Sequence, residues 1–476
     1  MDNILGTVTL FASYWLTCSV QSLTPLISSI LMTNLFNTWL CLLLIWTTLP
    51  SLAVGQSRAE KVRGDRSRFA TNGLWFYNDL ERAFEVAKQK NQPVLVVLRC
   101  VPCTECVKLD DDMIESDPEL QQILKSFVRV RIVGVNGLDL SLFEFDTDQS
   151  FAVFMFGPDR TLYARYGTRS DQVEWENDVS VTGLRRALEG VLNLHKSYPN
   201  NRELLLGKQS TKPTFPTPEK FPMLSEKYTD KIDYEGRVVE SCIHCHMIGD
   251  AQRVYARRQS GKIPDNLLYP FPHPKTLGLI LDPAQCASVK QIVKGSYTES
   301  AGFQIGDQIE TLNGQAILSI ADIQWVLHQL PMSSGKVIAQ VRRGDTDVRI
   351  GIELPDNWKV GENVSWRESI WGLRQIALGG MSLKPSTSEE RSKVGVQPED
   401  MAFTVQHVGE YPPHDRAMKA GIAKGDVIVE FDGRKDFKSE ANMIVHSLNQ
   451  VAPATDVTIK LRRGAELLSV NVKTSD

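Results

Sequence analysis

The chain is poor in cysteine, with eight among 476 residues, too few for a disulfide-dense scaffold of this size. It also lacks a basic excess: 53 basic against 57 acidic side chains give a net charge of -4, and no whole-chain reason to expect nucleic acid as a partner. No Gly-x-Ser-x-Gly or Gly-Asn-Ser-Gly-Gly run is present, so a serine protease is not expected. What is abundant is apolar: 42% hydrophobic content argues against a mainly disordered chain, and the length predicts two to four domains.

Lysine and arginine are missing up to Gly55, and Trp39 to Trp46 is nearly continuous hydrocarbon. Residues 1–55 therefore read as a signal peptide or membrane anchor, with Ala53-Val54-Gly55 offering a cleavage site before Gln56 and Met32 an alternative start. The basic flank Arg58, Lys61, Arg63, Arg66 and Arg68 opposes export, because the positive-inside rule holds such residues in the cytoplasm. The expected location is periplasmic or secreted, in a bacterium, with membrane contact only if the segment stays uncleaved.

Further along, the spacing of Leu80, Phe84 and Ala87 predicts a helix over 75–90, and Pro93 to Leu98 reads as a buried strand. Strands are expected at Val128–Ile132, Phe151–Phe156 and Thr161–Tyr166, then a helix over Thr182–His195. This α/β unit spans 71–196. Residues 197–272 read as a linker that includes a Cys-x-x-Cys-His segment.

The last 200 residues contain a repeat. Ala301-Gly302, Gly306-Asp307, Ile309 and Asn313-Gly314 recur as Ala420-Gly421, Gly425-Asp426, Ile428 and Asp432-Gly433, and Val341-Arg342-Arg343-Gly344 recurs as Leu461-Arg462-Arg463-Gly464. The repeated run resembles the PDZ domain of bacterial envelope proteins, which implies two mixed α+β, partly open β-barrel domains at 273–356 and 377–476, joined by a connector at 357–376. In that family a partner's C-terminus adds a strand to the sheet edge while a glycine loop holds its carboxylate. The resemblance places the loop at Leu277, Gly278, Leu279 and Ile280 in the first copy and at Gly379, Gly380 and Met381 in the second. Residues 384–401 insert a polar stretch that either covers the second groove or forms a surface loop. The implied partners are protein or peptide C-termini.

Cys100, Cys103 and Cys106 follow the strand at Pro93–Leu98, and the arrangement resembles the thioredoxin fold, where Cys-x-x-Cys sits between a strand and a helix. The resemblance makes Cys103 the attacking and Cys106 the resolving thiol, the former favoured by a helix N-terminus. Pro102, Val97 and Ser150-Phe151 depart from the family pattern, and Glu105 disfavours a thiolate, leaving a structural disulfide or metal binding as alternatives.

Cys242-Ile243-His244-Cys245-His246 has the pattern of c-type haem attachment, with Cys242 and Cys245 as thioether carriers and His246 as the iron ligand. A disulfide or a zinc site are the alternatives. The expected architecture is multidomain: a thioredoxin-like α/β fold followed by two PDZ domains. The leading functional expectation is an extracytoplasmic thiol-disulfide and electron-transfer protein using haem c; the alternative is a non-enzymatic PDZ scaffold with a degenerate thioredoxin-like domain.

Overall fold

Asp79 stops the first predicted helix from starting at Trp75. Its side chain accepts the Arg82 N–H at 3.3 Å and caps a helix that begins at Leu80, so Phe76–Tyr77 become a short strand instead. The computed structural model describes residues 57–99, 117–149, 151–170, 178–209, 212–362 and 364–475, and Ser57 to Asp476 cluster as one compact unit. Cys100, Cys103 and Cys106 lie outside the described residues.

The first domain contains α1 (Arg58–Ala70), β1 (Phe76–Tyr77), α2 (Leu80–Lys90), β2 (Val94–Arg99), α3 (Pro118–Leu124), β3 (Val128–Val133), β4 (Ala152–Phe156), β5 (Leu162–Tyr166) and α4 (Val181–Ser197). Its sheet runs β1-β3-β2-β4-β5, with β2 parallel to β3 and antiparallel to β4. Every residue of β2 is buried, because side chains alternate between two covered faces. Val94, Val96 and Leu98 pack with Phe143, Phe154 and Phe156, while Leu95 and Val97 pack with Leu184, Ala187 and Leu188 of α4. Each such side chain contributes roughly 1.5–3 kcal/mol by leaving water.

The stretch read as a linker carries a helix, α5 (Cys245–Ser260), ended by Gly261 at φ 72. Its Ile248 and Ala251 join the core of the first domain, which explains why a segment without an obvious period is ordered.

Two antiparallel sheets follow. The first has the order β11-β10-β8-β7-β6, with β9 on β8, built from β6 (Leu279–Asp282), β7 (Ser288–Ile292), β8 (Gln308–Leu312), β9 (Gln315–Ala316), β10 (Gly335–Arg343) and β11 (Thr346–Leu354); α6 (Ile320–Gln329) completes the module. The second has the order β12-β13-β14-β15-β16, from β12 (Met381–Pro385), β13 (Phe403–Val408), β14 (Val427–Phe431), β15 (Asp456–Arg463) and β16 (Glu466–Lys473). It is preceded by α7 (Ile370–Ala377) and includes α8 (Ser388–Val394) and α9 (Glu440–Gln450). The repeated turns Asn313-Gly314 and Asp432-Gly433 both take positive φ, the reason those residue types recur there. Ser319 and Ser439 cap α6 and α9 in the same way, extending the repeat beyond its sequence signature.

The inserted stretch at 384–401 neither covers a groove nor stays irregular. Thr387 and Glu390 form a capping box for α8, whose Val394 packs with Ala402 and Val427. The fold class is thus a thioredoxin-like α/β domain followed by open antiparallel PDZ-like domains. Among the described residues no helix is long and apolar enough to cross a membrane.

Candidate functional site

In the second module the glycine loop leads directly into β12. Gly379 and Gly380 have φ of 62 and 86, and a Cβ on Gly380 would lie 1.9 Å from the His414 carbonyl oxygen, so only glycine fits. The amides that could meet a carboxylate are already engaged: Gly380 N–H donates to Arg374 O at 3.0 Å and Met381 N–H to Leu378 O at 3.3 Å. Along β12, the Leu383 N–H donates to the Glu440 carboxylate at 2.7 Å. Glu440 is the first residue of α9, and it also receives Nε and Nη2 of Arg374 at 3.0 and 2.7 Å.

Helix α7 lies along α9, where Ser447 Oγ donates to Ala377 O at 3.0 Å. Ile370, Leu373 and Ala377 of α7, with Ile263, Leu268 and Tyr269 from further upstream, share one buried cluster with Met381, Leu383, Ile444 and Leu448. The space between β12 and α9 is therefore closed by the chain itself.

The first module is closed differently. Gly278, at φ 82, donates its N–H to Lys275 O and accepts Val293 N–H, both at 2.9 Å, and Leu277 and Leu279 are buried. Ile280 is partly exposed on β6. Phe271 covers the end of α6: its N–H donates to His328 Nδ1 at 3.2 Å, its carbonyl accepts Gln324 Nε2 at 3.0 Å, and its ring stacks on His328 at 4.1 Å. The other side of α6 faces β5 of the first domain. Arg165 N–H donates to Asp322 at 3.1 Å, Ser319 Oγ donates to Arg165 O at 2.6 Å, and Trp325 Nε1 donates to Gly207 O at 2.7 Å. Lys275 reaches Ser170 Oγ at 2.6 Å and Asp178 at 3.1 Å. The first groove has become a domain interface, a role no local sequence signal marks.

The Cys-x-x-Cys-His segment corrects the haem expectation. Cys242 is 2% exposed, and its sulfur lies 2.7 Å from where a Cβ on Gly134 would stand. A porphyrin edge has no access to such a sulfur without parting the segment from β3. Val135 N–H donates to Ile243 O at 3.0 Å, and Ile243 N–H donates to Asn136 Oδ1 at 2.8 Å, clamping the segment to the end of β3. Asn136, which the sequence reading did not single out, also donates to Thr229 O and Ser241 O. His246 is turned to Asp250 at 3.4 Å, and that contact raises its pKa despite burial. His244 shifts the other way, lowered by burial and by His246. Cys242 and Cys245 are not joined in a disulfide. Among the described residues no group of three or more His, Cys, Asp or Glu side chains could hold a metal ion, so the zinc alternative and the metal role of His246 are withdrawn with haem c.

Two family models match the chain: a thioredoxin-like model over residues 75–158 and a PDZ domain model over residues 388–474. No match was found among curated proteins. Similar solved structures include those of the HtrA-type protease AlgW. A variant of it with a decapeptide is 15% identical, with 29% of this chain and 40% of that chain covered at a TM-score of 0.20. The protease with a tripeptide is 14% identical, with 31% and 55% covered at a TM-score of 0.20. With a decapeptide it is 16% identical, with 31% and 51% covered at a TM-score of 0.18. The chain thus spans about half the length of these structures, an overlap too small to argue an activity.

With no haem attachment at Cys242 and Cys245 and no metal-holding group among the described residues, the electron-transfer reading loses its site and is withdrawn together with the thiol-disulfide one. The exclusion of proteolysis, drawn from a missing nucleophile motif, is not retained either. A PDZ domain is present, and its type is consistent with binding peptides and C-termini.

Proposed function

We propose that this protein is a binding scaffold that holds protein or peptide C-termini through its second PDZ module, with the thioredoxin-like domain as its platform. One observation carries this reading. Gly379-Gly380, β12 and α9 retain the loop, strand and helix that a C-terminus needs, and what fills the space between them is a short helix, α7. The first module contributes rigidity instead, since α6 is fixed to β5 and Lys275 to Asp178.

A location outside the cytoplasm accords with this role; the residues supporting it are the apolar run Trp39 to Trp46 and the small residues Ala53-Val54-Gly55. Fluorescence polarisation of labelled decapeptides ending in an apolar residue tests the scaffold reading. Binding of the free-carboxylate form and loss of binding on C-terminal amidation are expected. Equal binding of the two forms, or none, would overturn it.

A further inference from the structure

Arg374 occupies the second groove as a ligand's side chain would. Its guanidinium meets the Glu440 carboxylate with two parallel hydrogen bonds, 3.0 and 2.7 Å, in a place where the two side chains are 7% and 5% exposed. The fork-on-carboxylate geometry is the strongest and most directional pairing available to a basic side chain. The same carboxylate accepts the Leu383 N–H, so Glu440 joins the edge of β12 to the start of α9. The Arg374 guanidinium also lies 4.7 Å from the Trp371 ring centroid, and Trp371 is 40% exposed. An arginine released from Glu440 can stay over that ring at the surface, at little cost in desolvation.

We propose that α7 is a stand-in for the partner, and that the second groove takes a C-terminal peptide whose apolar end is preceded by an arginine or lysine that displaces Arg374 from Glu440. The proposal rests on the scaffold reading and names the partner's chemistry. Three features of the molecule argue for it. Glu440 is buried and charged, so an occupant that removed Arg374 without supplying a cation would leave an uncompensated carboxylate. The apolar side chains Ile370, Leu373 and Ala377 show that the rest of the site accepts hydrocarbon. A strand added antiparallel to β12, with its carboxylate at the glycine loop, sets the residue two before its end beside Leu383, within reach of Glu440. An acidic residue there would meet like charge and be rejected.

Because α7 is tethered immediately before the loop, it competes at high local concentration, and the apparent affinity of a partner falls by the fraction of open groove. Weakening the internal pair should therefore tighten binding of the external one.

The test uses the full chain and three labelled decapeptides ending in valine that differ only two residues before the end, with arginine, glutamine or glutamate there. The expected result for the natural protein is at least tenfold preference for the arginine peptide over glutamine. Arg374→Ala should tighten the arginine peptide at least tenfold, and Glu440→Gln should abolish the preference. Arg374→Lys, which keeps the charge but loses the fork, should fall between natural and Arg374→Ala. Should Arg374→Ala fail to fold, Arg374→Lys and the natural protein's discrimination decide. Binding of all three peptides alike, or no tightening on weakening Arg374, overturns the proposal and leaves the scaffold reading standing. Absence of binding by any peptide to every form overturns both.

Discussion

Lys208 Nζ and Asp322 Oδ1 stand 2.8 Å apart with both side chains 1% exposed, tying the turn after α4 to α6 of the first PDZ-like module. Asp322 also accepts the backbone N–H groups of Arg165 and Leu318. Burial pulls the Lys208 pKa down and the carboxylate pulls it back, so each charge depends on the other.

Lys208→Met should cost about 3–5 kcal/mol, because it leaves Asp322 buried without its cation. Lys208→Met combined with Asp322→Asn should cost less than the two single changes added together. Urea unfolding of the four proteins checks this; a cost below about 1 kcal/mol for Lys208→Met would contradict it.

The repeat was legible because its residues have local duties that recur. Asp307 and Asp426 receive two guanidinium hydrogen bonds each, from Arg343 and Arg463, at 2.7 to 2.8 Å, and each also accepts a loop N–H, from Gln304 and Ala423. The Gly-Asp and Arg-Arg-Gly halves of the repeat are thus bonded partners. Arg343→Ala and Arg463→Ala should both lower the unfolding midpoint of their own module, and a shift in only one would show that the matched residues do unequal work. Each carboxylate also braces a turn, so Asp307→Asn and Asp426→Asn should shift the midpoint in the same direction.

The groove closures and the clamp around Cys242 were not legible, for a physical reason. Arg374 and Glu440 are 66 residues apart, and Asn136 and Ile243 are 107 apart, so neither pair leaves a periodic or spaced signature. The Cys-x-x-Cys-His pattern misled because spacing says nothing of exposure: at 2% exposure, Cys242 is a packing residue. Phe76 and Leu80 fit one apolar stripe, yet Asp79 between them decides where the helix starts.

His273 and Glu362 should pull the pH dependence of stability in opposite directions. Burial pushes His273 down to about 4, against the attraction of Asp178. Burial pushes Glu362 up to about 7, against its hydrogen bonds from Thr276 and the His273 N–H. Between pH 4 and roughly 6.5 the unfolded chain binds a proton at His273 that the folded chain does not, so this group makes stability rise with pH. Between roughly pH 4.5 and 7 the folded chain holds a proton at Glu362 that the unfolded chain has lost, so this group makes stability fall. His273→Gln should unmask the falling slope and Glu362→Gln the rising one, each on the order of 3 kcal/mol across its window. Denaturant midpoints from pH 4 to 7.5 measure both, and parallel slopes in the two variants would refute the assignment.

Gly380→Ala tests whether the loop before β12 depends on a missing Cβ rather than on backbone freedom alone. Gly395, after α8, provides the comparison: its φ of 68 is similar, but nothing lies within 4 Å of an added Cβ. Gly395→Ala should therefore cost only the conformational penalty, about 1 kcal/mol. At Gly380 the same penalty is joined by contact with the backbone of His414 at 1.9 Å, which no side-chain rotation relieves. The turn must move, and with it the Gly409 N–H that donates to Gly380 O at 3.0 Å. Gly380→Ala should cost about 2–4 kcal/mol in unfolding and weaken peptide binding beyond that loss. Similar costs at the two positions would mean that the loop yields easily, and that its glycines serve the turn without holding the groove in shape.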